Sequence, residues 1–266
     1  MSGTVPSLSM IFMGVSCLIA FALPIGLLIY LKVKKQADLW PFFAGAIVML
    51  FFALVLESLV HQVVLNSPAG EKIQQSTWLY ALYGGFMAGL FEETGRYLAM
   101  RFALRKYHGK PVNAVMYGAG HGGLECIVLL GFGMISNLVL SEMINSGSIE
   151  MIFRTLGEDM LAQTEAQLSS LITLPAYTYL LGGFERISAM MLQIAMSILV
   201  WLSVTKPGQG HLVLISFLAH FIVDAGLVLL QGAGVPNWLL EVLIFAAALA
   251  LLLVTLRMLQ RQERPQ

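Results

Sequence analysis

The sequence predicts an all-α fold, a polytopic transmembrane helix bundle of about seven spans. Three observations predict it. Hydrophobic residues fill 58% of the 266 positions and charged residues only 11%, where a soluble domain carries about a quarter charged. The apolar residues fall into runs long enough to cross a hydrocarbon core about 30 Å thick. Lysines and arginines collect in alternate loops, as they do when a chain threads a bilayer repeatedly.

The runs cover residues 8–31, 40–65, 77–104, 112–141, 175–204, 211–231 and 236–258. No basic stretch precedes the first, which therefore reads as a retained helix rather than a secretory signal. The third and fifth carry charges near their middles, so hydropathy alone under-scores them. Pro68 and Gly70, Gly109 and Pro111, Pro175, Pro207 and Gly208, and Gly234 and Pro236 mark the edges. The stretch 142–174 is too polar to span. Its acids alternate with Ile, Met, Phe and Leu at helical period, which predicts one amphipathic surface helix near 149–170. Cys17 and Cys126 lie in apolar runs as packing residues, and no CxxC motif is present. The expectation is a single integral membrane domain over residues 1–266.

Basic residues set the orientation. Lys32, Lys34, Lys35, Arg101, Arg105, Lys106, Lys110, Lys206, Arg257, Arg261 and Arg264 follow the odd-numbered runs, while only Lys72 and Arg154 occupy the opposite loops. The N-terminus is then outside and the C-terminus cytoplasmic.

Against this apolar background, three ionisable pairs sit four residues apart inside the runs: Glu92 with Arg96, His121 with Glu125, and His220 with Asp224. That spacing is about one helical turn, so each pair shares a helix face. A charge at bilayer depth costs roughly 2.5–3.5 kcal/mol even on the lenient insertion scale. Three pairs plus Glu93 are therefore expected to face one another or an internal cavity. Counted from the cytoplasmic basic residues at 1.5 Å per residue, Glu92, His121 and His220 lie about 14, 17 and 21 Å deep, close to one layer.

Carboxylates and imidazoles at one depth suit water activation. A carboxylate with a neutral imidazole accepts the proton of a bound water, which attacks a carbonyl, and a second imidazole hydrogen-bonds the developing oxyanion. Arg96, always charged, is placed to hold Glu92 ionised. Glycines crowd the same segments: Gly84, Gly85 and Gly89, then Gly118, Gly120, Gly122 and Gly123. They allow close helix approach, and the second cluster suggests a locally loosened helix beside His121.

FEETGRY, GAGHGGLE, FER and HFIVD, in this order, resemble the bacterial YhfC family among the glutamic-type intramembrane proteases of the CAAX-protease and bacteriocin-processing (CPBP) superfamily. The resemblance implies a bacterial cytoplasmic membrane protein with an intramembrane active-site cavity. It implies Glu92 as the catalytic glutamate acting with His121, Glu93 and Arg96 as supporting residues, and His220 with Asp224 at the oxyanion site. No cofactor or metal is implied. The implied partners are the lipid bilayer and a membrane protein or peptide substrate, with no nucleic acid. Two departures stand out: Asp224 replaces the asparagine of the CAAX-protease pattern, as in PrsW-like relatives, and the first motif is one residue shorter than EExxxR.

Other readings stay open on the residues alone. A divalent metal bound by the histidines and carboxylates would make a metal-dependent membrane protease, although HExxH is absent. Intramembrane Glu, His and Asp also relay protons in transporters. Structural readings remain for each group: Glu92–Arg96 as an intrahelical ion pair, Glu93 paired with Arg186 or His61, Glu125 orienting His121, His220–Asp224 as a clamp. Glu185 and Arg186, being adjacent, are each expected to need a partner on another span. Glu57 and His61 read as an interfacial pair near the outer end of the second run.

Overall fold

The computed structural model describes residues 3–261, so the expected anchor Arg264 lies outside the described residues. Among the described residues ten α-helical elements follow one another: α1 (Ser7–Val33), α2 (Trp40–Leu65), α3 (Pro68–Gln74), α4 (Thr77–Leu98), α5 (Val112–Asn145), α6 (Ile149–Phe153), α7 (Glu158–Thr173), α8 (Tyr177–Thr205), α9 (Leu212–Gly232) and α10 (Asn237–Gln260). Six of them, α1, α2, α5, α8, α9 and α10, are long and apolar enough to cross a membrane. The seventh expected run is α4, which continues as a π turn over Ala99–Ala103. It is long enough to span, but Glu92, Glu93 and Arg96 remove it from the apolar set. The same buried charges that single it out in the sequence hide it from hydropathy.

The expected surface helix near 149–170 is divided. α6 ends at Phe153, and Gly157 takes an extended conformation (φ −69°, ψ 160°) as the N-cap of α7. The apolar period of α7 is used on protein: Leu168 and Leu171 are buried in a cluster with Val5, Met13, Ile144, Ile149 and Tyr179.

Packing groups the chain into two compact units, one of Met1–Ala22 with Cys126–Arg186 and one of Leu23–Glu125 with Ile187–Gln266. The first contains the α7 cluster. The second contains every residue of the three motif pairs. Its central element is α8, whose residues Ile194 to Leu202 are buried on all sides, the pattern of a helix enclosed by others. Polarity is inverted relative to a soluble domain: Leu18, Val63, Phe102 and Ile222 are exposed while Glu92, Glu93, Arg96, His121 and His220 are buried. Cys17 and Cys126 are free thiols, Cys126 buried.

Two contacts fix the height of His121 on α5. At the Val112 end of α5, Asn113 Nδ2 donates to Asp38 Oδ2 and to the Tyr107 carbonyl, both at 2.9 Å, and its Oδ1 accepts from the Asp38 backbone N–H. Lys110 reaches Asp38 Oδ1 at 2.8 Å. Hydrogen bonds from Lys110 and Asn113 hold the Asp38 carboxyl below its ordinary value. Because the folded-state value is depressed, this clasp contributes above the unfolded value and is lost as the pH falls through the folded one. Asn113→Ala is expected to cost about 1–3 kcal/mol by leaving polar partners unmade, and the difference from wild type in detergent thermal unfolding should shrink below about pH 4.

Deeper in the bundle, α2 and α5 touch backbone to backbone. A Cβ on Gly120 would fall on the Phe42 carbonyl, and one on Gly45 would lie 2.8 Å from the His121 amide nitrogen. Backbone cannot give way as a side-chain tip can. Gly120→Ala is therefore expected to destabilise by about 3 kcal/mol or more, whereas Gly14→Ala, where nothing lies within 4 Å, should be neutral or stabilising by up to about 1 kcal/mol. Paired unfolding curves in detergent check both signs.

Candidate active site

Four helices supply the polar groups: α4 gives Glu92, Glu93 and Arg96, α5 gives His121 and Glu125, α8 gives Gln193, and α9 gives Ser216, His220 and Asp224. Small residues let them converge. At Gly85 on α4 a Cβ would sit 2.8 Å from the Ala225 nitrogen and Phe221 carbonyl of α9. At Gly118 on α5 it would lie 2.6 Å from Ile194 Cα of α8. The backbone around His121 remains regular α-helix from Val112 to Glu125. The expected loosening there is not found; the glycines serve close packing, and the helix widens to a π segment only at Cys126–Gly131.

Glu92 is the centre of the constellation. Its Oε2 accepts from His121 Nε2 at 2.8 Å and from Gln193 Nε2 at 2.9 Å. Its Oε1 lies 3.8 Å from His220 Nε2, and Arg96 Nη2 lies 3.7 Å from Oε2. His220 Nε2 is also 3.4 Å from Asp224 Oδ2. The Asp224 side chain is 37% exposed, against 9% for Glu92 and 5% for His220, so it forms the open edge of the cluster.

Glu93 does not pair with Arg186 or His61. Its Oε1 meets Arg96 Nη1 and His220 Nδ1, the latter at 3.0 Å, and its Oε2 accepts from Ser216 Oγ at 2.6 Å. Adjacent on α4, the two glutamates diverge by about 100° and grip His220 from both sides of its ring. A carboxylate only accepts, so Nδ1 donates to Glu93 and Nε2 is the atom turned toward Glu92 and Asp224. Arg96 accordingly bonds Glu93 and Gln193 and sits one step further from Glu92 than its spacing suggested.

Gln193 and Ser216 were not singled out from sequence. Gln193 accepts from Arg96 Nη2 through Oε1 and donates through Nε2 to Glu92 and, at 3.0 Å, to Glu125 Oε2. Glu125 thus joins the network through Gln193. An amide inside a nearly pure apolar run was a signal for Gln193; for Ser216 it was a position one turn before His220 on the same face.

Two further charged pairs lie on α8 and α2. Arg186 pairs with its neighbour Glu185 through Nε at 2.6 Å. Glu57 is buried within the protein on a π segment of α2 and bonds His61 at 3.2 Å, while His61 Nδ1 meets Tyr83 Oη of α4 at 2.8 Å. That chain ties α2 to α4.

Chemically, the site offers one carboxylate oxygen pinned by two donors, a second directed at an imidazole, and a guanidinium that balances the paired acids in a low-dielectric surround. Such a set can accept a proton from water and stabilise an oxyanion beside it. It can equally carry protons.

A family model described as YhfC intramembrane metalloprotease matches residues 19–245. The chain is 40% identical over 248 residues to the membrane protein YhfC of Bacillus subtilis (strain 168), covering 92% of this chain and 94% of that one. No solved structure matches. The family's description implies a metal ion, and the donor arrangement does not fit one. Among the described residues no three His, Cys, Asp or Glu side chains converge as ligands. His121 Nε2 and Glu92 Oε2 are spent on each other, and the unpartnered Nδ1 of His121 is on the opposite side of the ring. Arg96 adds a fixed positive charge 3.7 Å from the same carboxylate oxygen, where a dication would meet repulsion. Matched over most of its length by both comparisons, this multi-pass membrane protein belongs to the YhfC family of intramembrane proteases.

Proposed function

We propose that this protein is a glutamic-type intramembrane endopeptidase of the CPBP superfamily, acting in the bacterial cytoplasmic membrane with its N-terminus outside and its C-terminus in the cytoplasm. The observation that carries the reading is the divided carboxylate of Glu92: Oε2 held by His121 and Gln193, Oε1 left facing His220 Nε2 at 3.8 Å. Water bound at Oε1 gives a proton to Glu92 as its oxygen attacks the carbonyl of a membrane protein or peptide substrate. His121 aligns the carboxylate through its Nε2 hydrogen bond. Doubly protonated, His220 donates from Nε2 to the oxyanion while Nδ1 stays on Glu93. Glu92 then returns the proton to the leaving amine, and the peptide bond is broken with no resident metal required.

The test compares membranes from cells expressing wild type and Glu92→Gln. New peptide termini confined to wild type, in preparations whose metal content is substoichiometric, support the proposal and identify the substrate. A stoichiometric metal with termini that vanish on chelation favours the metalloprotease named in the family description. Identical termini in both membranes count against proteolysis and leave proton-coupled transport as the better account of the buried acids.

A further inference from the structure

We propose that Gln193 is a positioning residue that decides which oxygen of Glu92 faces the reaction space; the inference rests on the glutamic reading above. The terminal torsion of a glutamate is broad and roughly two-fold, so a single hydrogen bond from His121 does not fix the plane of the carboxylate. A second donor at 2.9 Å on the same oxygen does. Gln193 supplies it from α8, a different helix from His121, so the two donors reach Oε2 from different supports.

The amide is chemically specified. Arginine only donates and carboxylates only accept. A residue that takes a hydrogen bond from Arg96 and gives hydrogen bonds to Glu92 and Glu125 must carry both functions on one short head. Glutamine has them; methionine has neither, and glutamate has only the acceptor. These partners also fix the amide orientation, since a flipped head would turn NH2 toward NH2 of Arg96 and oxygen toward two acids.

The backbone of α8 is itself held at this level. Gln193 is 4% exposed. Its carbonyl accepts from Ser197 Oγ at 2.7 Å, and a Cβ on Gly122 of α5 would lie 3.1 Å from Gln193 Cβ. The head therefore starts from a fixed point. Through Arg96, the same residue joins Glu92 to the Glu93–His220 arm, so base and oxyanion donor share one frame.

The experiment uses full-length protein in detergent and a peptide spanning the cleavage site recovered from the terminus comparison. Gln193→Glu keeps the volume and the Arg96 contact but loses the donor; Gln193→Met keeps the length and loses both. Each is expected to lower kcat on the order of 10- to 100-fold with KM within about two-fold, because the head of Gln193 is taken up by Arg96, Glu92 and Glu125. A residue that only packs α5 against α8 would shift unfolding temperature and leave the kcat of the folded fraction unchanged. Wild-type kcat in either folded variant, or a raised KM at constant kcat, overturns the proposal. Should Gln193→Met not fold, Gln193→Glu alone decides. Glu92→Gln runs alongside: if it cleaves like wild type, the protease reading itself fails, whereas an inactive Glu92→Gln beside a fully active Gln193→Glu overturns only the role of Gln193.

Discussion

Glu92→Gln is expected to abolish cleavage while the bundle stays folded. A positioned general base is worth about 10²- to 10⁴-fold in rate, and glutamine cannot take a proton from water at any accessible pH. The substitution preserves volume in a buried site, so packing is retained. It also changes the hydrogen bonding in a readable way. Oε2 now accepts from His121 and Gln193, and an amide oxygen placed there keeps both bonds while its NH2 faces His220 Nε2, which accepts once it carries no proton. The stability cost is then small and the catalytic cost large. His121→Ala should also remove activity, by freeing the carboxylate and opening a cavity under Tyr117, whose ring stacks on His121 at 6.2 Å. Equal cleavage by wild type and Glu92→Gln, measured on peptide termini, would sink the mechanism.

Much of the site was legible because the bilayer makes polarity conspicuous. Glu92, Arg96, His121 and His220 stand out in apolar runs, their i, i+4 partners fix a face, and counting residues from the basic loops put them near one depth. The structure brings Glu92, His121 and His220 into one cluster. What sequence spacing cannot give is azimuth: which face of α4 looks at which neighbour. Glu93 illustrates this. One residue from Glu92 on a helix, it diverges by about 100°, yet only the packing of α4 on α9 at Gly85 decides that it diverges toward His220 and Ser216 rather than Arg186.

Neutral polar residues were the other blind spot. Gln193 carries no charge and has no partner on its own helix face, so the rule that found the acids passes over it. The amphipathic stretch near 149–170 was recognised as helical but not as broken, because Gly157 interrupts it through backbone conformation rather than through the apolar period. Glu185 and Arg186 meet each other, a contact that a rule about helix faces alone does not anticipate. Long flexible chains on adjacent residues do meet when both heads leave the helix in the same direction.

Arg96→Met is expected to have the largest effect on stability. Arg96 is fully buried and contacts Glu93 and Gln193, with Glu92 at 3.7 Å. Removing one member of a buried pair leaves the other charge uncompensated, which typically costs about 3–5 kcal/mol. Here two carboxylates on consecutive residues lose their shared cation, so the upper end applies. The ion pair is not thereby shown to stabilise the fold, since desolvating the three groups in the first place is itself costly. A double variant separates these contributions. Adding Glu93→Gln to Arg96→Met removes one of the two stranded charges; the amide oxygen can stay on His220 Nδ1 while its NH2 donates to Ser216 Oγ. If uncompensated charge is the source of the loss, the double variant should recover about 1–3 kcal/mol relative to Arg96→Met, a coupling of the size seen between residues of one network. If Arg96 matters through the packing of its long side chain, the two losses should add. Denaturant unfolding of the four proteins in one detergent gives the sign directly. Arg96→Lys sharpens the reading: it keeps the charge but replaces a planar fork by a single point, and cannot serve Glu93 and Gln193 together. An unfolding midpoint between those of wild type and Arg96→Met would therefore place the remaining loss on geometry rather than on charge.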